Sequence, residues 1–130
     1  MQKSRMFIKV LRLLLSLILI VFGINGFIGF LPMPEPPEAA AQFLQGLSRG
    51  IFVFPVLYGL EVLIGLLLLV NRYVVLGLLA FFPLAVSILL YHLFLDPAGG
   101  AAGYLTFIIE ILLLIGYRDH YRQLFESRPS

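Results

Sequence analysis

The sequence predicts an all-α membrane protein: a four-transmembrane-helix bundle with both termini cytoplasmic and a short amphipathic helix in the outer loop between the first two spans. Three observations carry this expectation. Hydrophobic residues make up 61% of the chain and charged residues 12%, with a mean hydropathy of +1.03, whereas soluble domains run about 45–50% apolar and about 25% charged. The apolar residues gather into four runs close to the ~20 helical residues that cross a hydrocarbon core. Lys and Arg flank those runs unevenly.

A water-soluble fold of 130 residues has too much surface to cover for this composition to stay dissolved. The pI near 9.2 does not point to nucleic acid, because the basic residues sit at the ends of apolar runs and not on one face. The chain has no Cys, which excludes disulfides, thiol redox relays and thiolate metal or iron–sulfur sites. It has no Trp either, so interfacial aromatics must be Tyr and Phe, with Tyr73, Tyr104 and Tyr117 read as belt residues.

The first span covers about 9–31, with an apolar core from Leu13 to Leu31 broken only by Ser16 and Asn25. Lys3, Arg5, Lys9 and Arg12 precede or open it. The second runs from Ile51 to Val70 and contains Glu61; the third, Tyr73 to Leu95, contains Pro83, Ser87 and His92; the fourth, about 101–117, is short and contains Thr106 and Glu110. Backbone polar groups in lipid must bond within the segment, so each run reads as a helix. The N-terminal flank, Arg72 between spans two and three, and Arg118, Arg122 and Arg128 of the tail lie on one side, against Arg49 alone on the other. The positive-inside rule therefore puts both ends and the Asn71–Arg72 turn in the cytoplasm. The length of the first apolar run, and the prolines between it and Ala39-Ala40-Ala41, argue against a cleaved leader.

The outer loop from Pro32 to Gly50 begins with Pro32, Pro34, Pro36 and Pro37, which favour extended chain. Pro37-Glu38 then suits a helix start. Phe43, Leu44 and Leu47 fall on one side of the following segment, giving either an amphipathic helix that lids the bundle or a mobile loop. Asp96-Pro97-Ala98-Gly99-Gly100 ends the third span.

Charged side chains at mid-bilayer cost about 2.5–3.5 kcal/mol on insertion scales and normally face a bundle interior. Glu61 and Glu110 lie mid-span, Asn25 in the outer half of span one and His92 near the outer end of span three. Tyr58, Glu61 and Gly65 share a helix face, as do Gly103, Thr106, Glu110 and Tyr117, while Ser87 and Tyr91 share a stripe beside His92. Gly23, Gly26 and Gly29 repeat around Asn25, and small residues let membrane helices approach. Pro83 frees a carbonyl one turn earlier and is expected to kink span three. Glu61 and Glu110 are expected to turn toward one another around a common polar centre. The candidates for ligand binding or proton relay are thus Glu61, Glu110, His92, Asn25, Tyr91, Ser87, Thr106 and Tyr58. Each also has a plain structural reading, a neutral acid or amide bonding a neighbouring helix. No catalytic residue and no metal site is assigned.

The segment Glu61-x-x-x-Gly65-Leu66-Leu67-Leu68-Leu69-x-Asn71-Arg72, with Arg12, Gly23, Pro83 and His92, resembles the DoxX family over roughly Arg12 to Leu124. Asn71 stands where relatives often have Gly, and the Pro-rich outer loop is a second departure. The resemblance implies a small protein of the bacterial-type cytoplasmic (inner) membrane, an accessory to redox metabolism alongside oxidoreductase subunits, and importance for Glu61 and His92. A quinone would be the lipophilic ligand: His92, Tyr91 and Asn25 could bond its head and Glu61 with Glu110 could carry protons. Haem is disfavoured, because His92 and His120 are expected at opposite membrane faces. Two other readings stay open, a small transporter or binder of lipid or hydrophobic solutes and a non-catalytic scaffold, as does homo-oligomerisation. Phosphate-binding Gly loops, nucleophile elbows and HExxH are missing, which argues against autonomous enzymology.

Overall fold

A computed structural model describes residues 2–127. Among them there is no strand; the chain forms five α-helices, α1 (Gln2–Ile28), α2 (Glu38–Ser48), α3 (Val53–Leu69), α4 (Val74–Leu95) and α5 (Ala101–Gly116), with one short 3-10 turn between α4 and α5 and two after α5. α1 and α4 are each long and apolar enough to cross a membrane, and α2 with α3 would count as a third, broken span bent by 92°. α3 and α5 alone have 17 and 16 residues.

Helix ends follow local chemistry. α1 stops at Ile28, three residues short of the expected Leu31, because Gly29 adopts φ +64°. Its N–H bonds the Asn25 carbonyl at 2.7 Å, and the Asn25 side-chain oxygen accepts from the Leu31 N–H at 2.7 Å. Asn25 thus closes its own helix and uses this acceptor locally. Gly29, expected to pack with Gly23 and Gly26, leaves open space within 4 Å of a Cβ position and acts as the left-handed helix terminator. α2 forms where Pro37-Glu38 predicted a helix start. α4 runs unbroken through Pro83.

Two non-glycine residues in the turn between α3 and α4 lie in the left-handed region, Asn71 (φ 60°) and Tyr73 (φ 54°). Asn tolerates this conformation better than other L-residues, after Gly. Position 71 is therefore one whose backbone favours Gly or Asn. Asn71→Gly is expected to leave stability unchanged or slightly raised, and Asn71→Val to lower it by about 1–2 kcal/mol. Thermal unfolding of the two variants in one detergent checks the order.

Packing runs around a ring, with α1 against α3 and α5, and α4 against α3 and α5. The α1–α3 contact is the most extensive, and glycine makes it. A Cβ on Gly65 would meet Ile20 Cγ1 at 2.7 Å and the Ser16 carbonyl oxygen at 3.0 Å; one on Gly23 would meet Val62 Cγ2 at 2.7 Å and the Tyr58 carbonyl oxygen at 3.0 Å. One on Gly26 would run into the Tyr58 ring. At the other end, Gly116 of α5 abuts Ile8 of α1, so the start of α1 and the end of α5 lie together. Leu15, Leu19, Leu68, Leu78, Phe81 and Leu113 fill the core. Outward, Phe7, Leu17, Leu63, Leu76, Phe94 and Ile108 are exposed. Large apolar side chains exposed along the long helices fit a lipid-facing surface.

Candidate functional site

The ends of the helices nearest the α4–α5 connection line a half-open cavity of about 820 Å³. Its walls are mostly apolar, contributed by α1 (Phe22), α3 (Leu57), α4 (Phe81, Ile88) and the inner side of α2 (Phe43, Leu44, Leu47). Into it open seven of the eight side chains singled out from the sequence: Asn25, Tyr58, Glu61, Ser87, Tyr91, His92 and Thr106. Glu110 does not line it.

The seven differ in what they have left to offer. Ser87 Oγ donates to the Pro83 carbonyl at 2.9 Å and Thr106 Oγ1 to the Ala102 carbonyl at 2.7 Å, so both hydroxyl protons are bound within their own helices. Each keeps acceptor capacity only. His92 Nδ1 lies 3.4 Å from the Asp96 carbonyl oxygen, to which it can only donate. Nε2 makes no hydrogen bond among the described residues. The His92 ring lies against α5 because residue 103 is glycine: a Cβ there would meet His92 Cδ2 at 2.8 Å and Nε2 at 3.3 Å. Tyr91 stands edge-on to His92 with ring centres 4.9 Å apart, and Phe43 of α2 sits over Tyr91 at 5.9 Å. Tyr58 stacks on Phe54 at 5.8 Å and meets the edge of Phe27 at 5.9 Å. Glu61 is only 7% exposed. Its carboxyl is in none of the hydrogen bonds or ion pairs among the described residues.

Glu61 lines the cavity and Glu110 does not, so the cavity is not the shared polar centre expected of the two acids. No hydrogen bond joins them among the described residues. Glu110 is fully buried, and neither of its oxygens has a hydrogen-bond partner among the described residues.

From the sequence, Arg12 is expected as a flanking charge. It is 6% exposed, and its guanidinium donates to the Leu68 carbonyl near the end of α3. The signal was its spacing, one turn from Ser16 on the face that continues to Gly23. Among the described residues no group of three or more His, Asp and Glu could hold a metal ion. No protein-family profile, curated protein or solved structure matches the chain.

Proposed function

We propose that the chain is a four-span inner-membrane protein, its termini cytoplasmic, that holds an amphipathic lipophilic molecule of the quinone class in its outer half as the membrane-embedded accessory of an oxidoreductase. The cavity carries this reading. It combines apolar walls, suited to a hydrocarbon tail, with a few convergent polar groups at one end, the pattern of small-molecule sites. His92 Nε2 would accept from a hydroxyl head, while the Tyr58 and Tyr91 hydroxyls and the carboxyl of Glu61 supply further bonding positions. The redox context comes from the DoxX-like segment Glu61 to Arg72. The topology is supported by the gathering of Arg5, Lys9, Arg72 and Arg118 at the end where Ile8 meets Gly116, with Glu35, Glu38 and Asp96 in the connections at the other end.

The test is binding of decylubiquinone to purified protein in nanodiscs, with mass spectrometry of whatever co-purifies. Saturable binding that weakens at least tenfold in Gly103→Leu, which drives a side chain into the His92 ring, is the expected result. Equal, unsaturable uptake by both proteins would end the quinone reading. Because the chain lacks Cys, single cysteines at Ala98 and Arg72 report sidedness without background; Ala98 should label from outside and Arg72 should not.

A second reading, a binder or carrier of lipids or other hydrophobic solutes, is favoured by α2. It meets α3 at 92°, closes the cavity with Phe43, Leu44 and Leu47, and touches α4 through the Phe43–Tyr91 ring pair. Co-purification of phospholipid, with decylubiquinone failing to displace it, would favour this reading over the first.

A further inference from the structure

α3 and α4 are joined by a short turn and meet close to it, where a Cβ on Gly77 of α4 would lie 3.4 Å from Ile64 Cγ2 and 4.0 Å from Leu68 Cδ2 of α3. Residues three and four apart share a helix face, so the touching stripes can be followed away from the turn. On α3 the stripe passes through Leu60 and Leu57, on α4 through Phe81, Leu84 and Ile88, and all five line the cavity. The two helices therefore part beyond their glycine contact, and the cavity fills the gap between them.

The neighbouring seams are closed by glycine. Tyr58 of α3 sits against Gly26 of α1, and His92 and Ile88 of α4 sit against Gly103 of α5. α2 crosses the far end of the gap and touches both α3 and α4. What remains between α3 and α4 is a window in the side of the bundle, with α2 above it and the Gly77 contact below. Its edges show in the exposure of the lining. Val56 and Leu60, one turn apart on α3, line the cavity yet are 53% and 38% exposed. Ser87 on α4 lines it and is exposed as well. A side chain does both only at the rim of an opening. Leu63, on the same side of α3 but outside the cavity, is exposed too, so the window gives onto the apolar outer surface of the helices.

We propose that this window is a lateral entrance from the bilayer, and that the ligand is a quinone with a long isoprenoid chain. Its head lies among Tyr58, Tyr91 and His92, and its chain leaves between α3 and α4, over Val56 and Leu60, into the lipid. The inference rests on the quinone reading and adds the route of entry and the kind of quinone. A long chain packed into the cavity would lose its conformational freedom, which binding has to offset. Lipid tails are as apolar as Leu, so a chain left among them costs nothing to desolvate and keeps its freedom. The polar groups then need to recognise only the head.

A benzoquinone probe with a diazirine midway along an isoprenoid chain, irradiated with the full-length protein in nanodiscs, tests the route by mass spectrometry of the adducts. The expected adducts lie on Val56, Leu60, Leu84 or Ser87 and disappear under excess decylubiquinone. Competed adducts confined to interior residues such as Phe22 and Thr106 show a chain folded inside the cavity; they overturn the window and leave the quinone reading standing. No competed adduct anywhere removes the quinone reading, and the window proposal with it. Leu60→Trp, at an exposed rim position where a larger ring spares the core, is the second check. It is expected to weaken the long-chain quinone about tenfold more than duroquinone, which has no chain to route. Leu63→Trp, beside the window, is expected to treat the two quinones alike. Long-chain affinity that is equal in Leu60→Trp and Leu63→Trp overturns the proposal.

Discussion

Gly65→Val is expected to deprive the protein of its native fold, leaving little or no monodisperse material after detergent extraction. At residue 65 a Cβ would stand 2.7 Å from Ile20 Cγ1, 3.0 Å from the Ser16 carbonyl oxygen and 3.1 Å from the Ile20 backbone nitrogen. The side-chain contact could relax by rotation, but the two backbone contacts could not, so α1 and α3 would have to separate. Forcing even single methyl groups into close-packed interiors costs about 1–3 kcal/mol, and Val adds three carbons at the tightest crossing. Separation also withdraws α3 from Arg12. The Leu68 carbonyl that receives its guanidinium moves away, leaving a buried charge without its partner, a loss that typically costs several kcal/mol more. Gly59, which has nothing within 4 Å of a Cβ position, is the internal control. Gly59→Val should behave as the native chain does in size-exclusion chromatography and thermal unfolding. If Gly65→Val matched it, the close α1–α3 approach would be disproved.

The contrast between these glycines shows how far the sequence could be read. Length, composition and the placement of Lys and Arg are one-dimensional quantities, and apolar runs of this size leave little choice but helix. The four long helices and the short one after Pro37-Glu38 were legible for that reason. So was the membership of the cavity: Tyr58, Glu61, Ser87, Tyr91, His92 and Thr106 each follow from a polar side chain having to turn inward, whatever the neighbouring helix supplies. The absence of Glu110 from the cavity was not legible. It depends on how α5 seats against α1 and α4, contacts between residues far apart in the chain. Gly29 failed in the opposite direction. Its spacing from Gly26 implied packing, but the Pro-rich segment after it demanded a helix end, and the backbone requirement won. Arg12 was misjudged because a cation at the start of a span usually snorkels to the interface. Here the open carbonyl end of α3 lies close enough to hold it inside.

Glu61→Leu is expected to raise the thermal stability of the ligand-free protein while weakening decylubiquinone binding at least tenfold. The two effects have one cause. Glu61 is only 7% exposed as a residue, and its carboxyl faces a mostly apolar cavity with no hydrogen bond among the described residues, so no protein partner offsets its desolvation. Replacing it by an apolar side chain of similar size removes that cost, as seen when buried polar groups yield to hydrophobic ones. A head group in the cavity would reverse the balance, since Glu61 could then bond it, and losing one such bond is worth about 1.4 kcal/mol, or a factor of ten. Glu61→Gln keeps hydrogen-bonding atoms in place and should lie between the native chain and Glu61→Leu in affinity. The opposite signs separate function from structure. Were Glu61 a strut between helices, Glu61→Leu would lower the unfolding temperature by stripping a bond from the packed core, and affinity would fall only with the folded fraction. Unfolding temperature and dissociation constant measured on the same three preparations decide between them, because a strut and a ligand contact cannot move stability the same way.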